Sequence, residues 1–209
     1  MPAFLYPKSK HIRRQSPPKW KTYRRYKPIL RQEFEEKCVY CRLPDTLKGQ
    51  DNYGVDHYKP KKDFHNLIAE YSNLFYACNC CNRRKGTFWP KSDDMTAGRF
   101  IPNPCDHIMF DHLRYIGVKV VHHSETGNFA KDLLDLNDEE SVEYRQMVID
   151  IINSLKEKQQ KIEETYNKLE NLIQSCTTST EEQNLKKKKK ETENALNRIK
   201  DYYKKLSGQ

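Results

Sequence analysis

The sequence predicts an α+β fold, with a small mixed domain first and long helices after it. Three observations carry this reading. Residues 38–90 mix turn-forming residues with short apolar stretches. No proline follows Pro104, and from Asn137 onward apolar residues recur at three- and four-residue steps. With 209 residues the chain has room for one compact domain and an appendage, or for two small domains, and a large multidomain machine is excluded. Hydrophobic residues are 36% and the mean hydropathy is -1.00, so the core is small and a metal ion is the first suspect for helping to hold it.

Residues 1–30 carry Pro2, Pro7, Pro17, Pro18 and Pro28 among basic and aromatic side chains without helical or strand period, which reads as an extended basic arm. Arg31 to Lys37 reads as a short helix leading to Cys38. Tyr53 to Tyr58 and Leu74 to Ala77 are the apolar stretches of the small α+β unit. Residues 91–136 contain Gly98, Pro102, Pro104, Gly117 and Gly127, with Tyr115 to Val121 reading as a β-branched strand, and this accessory segment is expected to pack on the first unit. The division is thus an arm at 1–30, a domain at 31–136 and a helical part at 137–209.

The helical part opens at Asn137 with Glu140 three residues on, a capping pattern. Tyr144, Val148, Ile151, Leu155, Ile162, Tyr166, Leu169 and Ile173 follow on one face, interrupted by Lys158. Ser175 to Thr180 is a polar break, Ser179 with Glu182 starts a second helix, and Leu185, Leu196, Ile199, Tyr203 and Leu206 mark its apolar side. The expected result is a helical hairpin whose stripe needs a mate, which makes it the natural docking element for a partner.

The net charge is +9, and its distribution says more than its total. Residues 1–90 hold 19 basic and 8 acidic side chains, residues 91–140 hold 5 and 10, and residues 141–209 hold 14 and 11. A basic block of +11 attracts polyanions because neutralised phosphates release condensed counterions, so nucleic acid leads among partner classes. No apolar run reaches the roughly 18–20 residues of a membrane span, and Met1 to Tyr6 is too short for a secretory core before Lys8. No membrane association and a cytoplasmic location are expected, with the seven cysteines reduced.

Cys38-Val-Tyr-Cys41 and Cys78-Asn-Cys-Cys81 are two Cys-x-x-Cys pairs. Four thiolates at this spacing close a tetrahedral zinc site, since a two-residue gap lets a tight turn aim both sulfurs at one ion. A redox pair is the competing reading, but two pairs in one small basic unit favour structural zinc. Cys80 is a bystander on spacing, although an exchange of roles with Cys78 stays open.

Between and after these pairs lie Val55-Asp56-His57-Tyr58-Lys59-Pro60, Asn73-Leu74, and Cys81-Asn82-Arg83-Arg84-Lys85-Gly86. On this ordered set, covering about Cys38 to Pro90, the sequence resembles the HNH endonuclease family. The resemblance implies a ββα-metal core, a hairpin followed by a helix around one ion, carrying a four-cysteine zinc site. It implies that His57 is the general base for water, that Asn73 orients it, and that Asp56 and Asn82 offer oxygen ligands to a catalytic ion distinct from the zinc. Hard oxygen donors with open water positions suit magnesium or manganese. Arg83, Arg84, Lys85 and Lys59 are then expected to face phosphates. The sequence departs from the commonest family pattern in having Asn82 where many members have a final His.

Phe100 to Asp106, Asp111-His112-Leu113 and Leu133 to Asn137 extend the similarity to about residue 150, toward HNH proteins of anti-phage systems, notably the nuclease subunit of Septu and its retron-linked relatives. This implies an effector nuclease working with an ABC or SMC-like ATPase docked through the C-terminal helices. The expected activity is hydrolysis of phosphodiester bonds, with DNA ahead of RNA, leaving a 5′-phosphate and a 3′-hydroxyl. The alternative is a non-catalytic zinc-containing adaptor that binds nucleic acid without cutting it. Trp20, Tyr23 and Tyr26 alternate with Lys19, Lys21, Arg24 and Arg25, which suits base stacking and equally suits packing of the arm on its own domain. His65, His107, His112, His122, His123, Cys105, Cys176 and the lysines 186–190 carry no assigned role.

Overall fold

Strand β2 (Leu74–Cys78) is buried along its whole length and organises the first part of the chain. It pairs antiparallel with β1 (Tyr53–His57) in the register Tyr53↔Cys78 to His57↔Leu74. Helix α3 (Asn79–Lys85) follows it without a gap, so hairpin and helix make the expected ββα core. The computed structural model describes residues 4–207, and Pro2 of the arm lies outside them. The chain forms two compact units, Met1–Arg145 and Gln146–Gln209.

β2 alternates between two covered faces, as a strand must. Phe75 meets Phe34 and Tyr58 edge-on, each at 5.5 Å between ring centroids. Tyr76, on the other face, stacks on Tyr53 at 5.3 Å. Its hydroxyl donates at 2.6 Å to Asp45, which is fully buried and also takes Arg31 at 2.6 and 3.0 Å. Asp45 opens the one-turn helix α2 (Asp45–Lys48).

The first helix differs from the expected 31–37. Helix α1 spans Lys27–Glu33, with Pro28 in its first turn, where a missing N–H costs nothing. It stops because Glu35 and Glu36 take the left-handed φ values 58° and 60°, which turn the chain toward Cys38. The arm before it has no regular structure over residues 4–22, yet it is a strap. Phe4 and Tyr6 are buried, and the Tyr6 hydroxyl donates to the Tyr40 carbonyl at 2.9 Å. Arg13 donates to the carbonyls of Leu74 and Tyr71 at 2.9 and 2.6 Å, and its guanidinium lies over the Tyr71 ring at 4.5 Å. Glu33 anchors the same point through Arg13 and His11, both at 3.1 Å, and through the Tyr71 hydroxyl.

The accessory segment holds short helices α4 (Ser92–Thr96) and α5 (Met109–His112), the hairpin β3 (Leu113–Ile116) and β4 (Lys119–His122), and α6 (Glu125–Leu133). The single strand expected over Tyr115 to Val121 is thus broken, because Gly117 at φ 59° permits a two-residue reversal. The segment packs on the core through Tyr115, whose hydroxyl donates to the Cys41 carbonyl at 2.6 Å, and through Tyr58, which donates to Ile101 at 2.7 Å.

Helix α7 (Glu139–Gln174) starts one residue after Asp138, whose carboxylate accepts from the Ser141 amide at 3.0 Å. Asn137, expected at the cap, instead pairs through its carboxamide with both backbone groups of Val120 at 2.8 Å. Within the second unit α7 and α8 (Ser179–Ser207) run antiparallel: Lys189 meets Glu170 at 2.8 Å and Lys200 meets Glu163 at 3.8 Å. Ile152 is buried and Ile151 is 36% exposed, which reverses their expected order because Ile152 continues the i, i+4 step from buried Val148. No helix among the described residues is long and apolar enough to cross a membrane.

Burial pushes the Glu33 carboxyl up, but the bonds from His11 and Tyr71 and the charge of Arg13 outweigh it and hold the group below its ordinary value. Its contribution is therefore complete above the unfolded value of about 4.3 and is lost as pH falls through the lower folded one. Glu33→Gln is expected to cost about 1–3 kcal/mol in urea unfolding at pH 7. It should also speed tryptic cleavage after Arg14 at neutral pH, and the unfolding cost should shrink as pH falls through the folded value of Glu33.

Candidate active site and metal centre

Two structures within the structure make the site: a four-sulfur knot and, beside it, the open end of the ββ hairpin. The sulfurs of Cys38, Cys41, Cys78 and Cys81 all lie within 4.8 Å of one another, and all four residues are buried. Cys41 and Cys78 are 3.8 Å apart, the edge of a tetrahedron with metal–sulfur bonds of about 2.3 Å. The donor set therefore fits a tetrahedral ion such as zinc. Cys80 is outside the group and half-buried. The first pair sits in the loop after α1, tied to β2 by the Val39 amide on the Tyr76 carbonyl at 2.9 Å. In the second pair Cys78 ends β2 and its sulfur accepts from the Cys81 amide at 3.4 Å, capping α3.

The knot delivers a side chain to the hairpin. Tyr40 lies between Cys38 and Cys41, is 1% exposed, and donates its hydroxyl to Asp56 Oδ2 at 2.5 Å. Burial and the facing Asp56 charge raise the Tyr40 phenol well above its ordinary value, so it stays a donor. The other oxygen of Asp56 takes Lys85 Nζ at 3.3 Å. Lys85, expected on a phosphate-facing surface, is 3% exposed and donates also to the His57 carbonyl at 2.6 Å. It fastens the end of α3 to the end of β1.

His57 is 8% exposed, and its Nε2 lies 2.9 Å from the Ile68 carbonyl. A carbonyl only accepts, so Nε2 carries the hydrogen and Nδ1 keeps its lone pair. Burial lowers the His57 pKa, with Lys61 and Lys85 adding to it and the Ile68 bond and Asp56 opposing, so the ring is a neutral acceptor at pH 7. Tyr23 from the arm meets the ring edge-on at 4.7 Å. Asn73 makes no hydrogen bond to the imidazole. Its carboxamide pairs with both backbone groups of Lys59 at 2.8 and 3.0 Å and with the Leu67 carbonyl at 3.3 Å, so it fixes the loop that carries Ile68.

Asn82 stands on α3, half-buried, with no side-chain partner among the described residues. Arg84, also expected to face phosphates, is engaged within the chain: it binds the Asp135 carbonyl at 2.9 Å and Asp138 at 2.8 Å. Against burial, the Arg84 and Ser141 bonds hold the Asp138 carboxyl down to about 2. Arg83 is exposed. Lys59 lies over Phe64 and Trp89 at 5.5 and 5.4 Å, half-buried beside the loop. The sequence singled out Tyr23 as a stacking or packing residue but not its place on His57, and it left Tyr40 and Ile68 unmarked. Of the last two only Tyr40 had a signal, since its place inside a Cys-x-x-Cys turn fixes its direction.

Residues 38–88, which carry the ββα hairpin, the Asp56-His57 pair at its open end and the four cysteines, match the family model described as HNH endonuclease. The chain is also similar to the Septu protein PtuB of Bacillus thuringiensis, 30% identical over 125 residues, which are 59% of this chain and 45% of that protein. The chain thus spans less than half the length of the curated relative it matches. No solved structure matches it.

One metal per chain is expected by elemental analysis, lost in Cys38→Ser and Cys78→Ser and retained in Cys80→Ser. Lys85→Met removes one partner of a buried pair and should lower stability by about 3–5 kcal/mol with the metal retained.

Proposed function

We propose that this protein is a metal-dependent HNH endonuclease that hydrolyses phosphodiester bonds in nucleic acid, DNA ahead of RNA, as the effector of an anti-phage defence complex. The observation that carries the reading is His57 itself: a neutral ring held through Nε2 on Ile68, with Nδ1 left to accept a proton. In this role His57 Nδ1 takes the proton of the attacking water, contributing about 10²–10⁴-fold to the rate. Asn73 keeps the loop, and so the ring, in place. Tyr40 and Lys85 hold Asp56.

Asp56 and the unpaired carboxamide of Asn82 would hold a divalent ion, magnesium or manganese. Each Asp56 oxygen accepts one hydrogen bond and keeps a further lone pair, so the donors present fit an oxygen-preferring ion. When bound, such an ion offsets charge on the leaving oxygen. Arg83 and Lys59 would meet flanking phosphates. Structural zinc would occupy the four-cysteine knot. By similarity to the Septu relative, the helices α7 and α8 would dock an ABC or SMC-like ATPase. The second reading, a zinc-containing adaptor that binds without cutting, draws on the Lys85 ammonium at Asp56, a cation already at the carboxylate.

Cleavage of plasmid DNA and of total RNA with added magnesium or manganese separates the two. The nuclease reading expects wild-type cutting and a loss of about 10²–10⁴-fold in His57→Ala at equal zinc content. Equal binding by both proteins without cutting, with the ATPase partner supplied, would favour the adaptor. Because a base must be unprotonated, the rate should fall with unit slope on the acid side, at a pH below the ordinary histidine value of about 6.5.

A further inference from the structure

The arm that touches His57 also shapes a cleft that the nuclease reading does not use. Its volume is about 610 Å³, within the roughly 300–1,000 Å³ of small-ligand sites. One wall is Pro17, Pro18 and Trp20 of the arm, and the other is Ala69, Glu70 and Tyr71. Tyr26 joins them: its ring lies 4.9 Å from Trp20 and 5.3 Å from Tyr71, and its hydroxyl bridges the Trp20 amide and the Pro18 carbonyl at 2.8 and 2.9 Å. These bonds set the indole in place without filling the cleft, and Arg25 lies over it at 5.0 Å.

Both walls run directly to the candidate base. Ile68, the acceptor of His57 Nε2, precedes Ala69, and Tyr23, three residues after Trp20, meets the His57 ring. Lys19 of the cleft and its neighbours Lys21, Arg24 and Arg25 are all exposed, and these four cations favour phosphate. Glu70, exposed as well, lines the cleft, and one of its oxygens is engaged by the amide and hydroxyl of Ser72 at 3.4 and 3.0 Å. The Trp20 indole and this acceptor carboxylate suit a flat ring bearing N–H donors.

Resting on the nucleic-acid reading above, we propose that this cleft receives an unpaired nucleobase of the substrate strand, stacked on Trp20 beside the scissile phosphate. A base within an intact duplex is stacked on its neighbours and cannot enter, so the preferred substrate is single-stranded or locally unpaired. Stacking of one base is worth about a five- to hundredfold change in affinity on removal of the aromatic side chain.

The test uses the full metal-loaded chain without added magnesium or manganese, so that binding is read apart from cleavage. A 12-nucleotide DNA strand carrying 5-bromouracil is irradiated with the protein, alone and as a blunt duplex, and the attachment site is mapped by mass spectrometry. Attachment at Trp20 with the single strand and not with the duplex is expected. Trp20→Leu should weaken single-strand binding about five- to hundredfold and leave duplex binding within twofold. Single-strand binding with attachment elsewhere and an unaltered Trp20→Leu affinity would overturn the cleft assignment while leaving the nucleic-acid reading standing. Duplex binding in preference to the single strand would overturn it likewise. Binding of neither would overturn both. The attachment map is made on the wild-type chain and decides even where Trp20→Leu fails to fold.

Discussion

Convergence of four sulfurs within 4.8 Å of one another is the constraint on which the rest of the first unit depends. It joins the loop after α1 to the junction of β2 and α3, two places far apart in sequence. Everything at the candidate site is referred to those two places. Tyr40 reaches Asp56 only because the first Cys-x-x-Cys turn aims it there, and Lys85 reaches Asp56 and the His57 carbonyl only because Cys78 and Cys81 set the start of α3. The energetics agree with this priority. A structural metal contributes about 10–16 kcal/mol of apparent binding free energy, comparable with or larger than the 5–15 kcal/mol net stability of a typical domain. With an ion bound, the knot would supply much of the stability of a chain with so small an apolar content.

Around the knot the interior is unusually polar. Arg31 with Asp45 and Tyr76, Lys85 with Asp56 and Tyr40, and Arg13 with Glu33 and Tyr71 are three ionic groups, each with a tyrosine hydroxyl on the carboxylate. Such pairs add little net stability over apolar packing, because desolvation consumes most of the Coulomb gain. Their directional bonds do something apolar contacts cannot. They fix which oxygen faces which donor, and thereby hold α1, α3 and the arm in one register against β2.

What the sequence disclosed follows from how local each signal is. The Cys-x-x-Cys pairs, the Asp56-His57 and Asn82 placements and the two long helices are carried by short spacings or by helical period, and the α+β core stands as read. The arm was legible as non-periodic but not as a strap, because Arg13 and Glu33 meet only in the folded chain. The basic run Arg83-Arg84-Lys85 looked uniform. Its members diverge because a helix turns successive residues about 100° apart, sending Lys85 inward, Arg84 to Asp138 and Arg83 to solvent. Asn73 was expected to orient His57; its carboxamide bonds to Lys59 and Leu67 of the loop, while the ring's Nε2 meets Ile68, a main-chain carbonyl that no residue identity could reveal.

The central claim is that the metal knot, through the loop and the hairpin, holds His57 with its proton on Nε2 and its Nδ1 lone pair free. Long-range proton–nitrogen correlation of ¹⁵N-histidine-labelled protein near pH 7.5, before and after removal of the metal, tests it directly. With the metal bound, His57 should show a protonated Nε2 and an unprotonated Nδ1, and metal removal should replace this by averaged signals. A His57 protonated on Nδ1, or averaged while the metal is in place, would contradict the account.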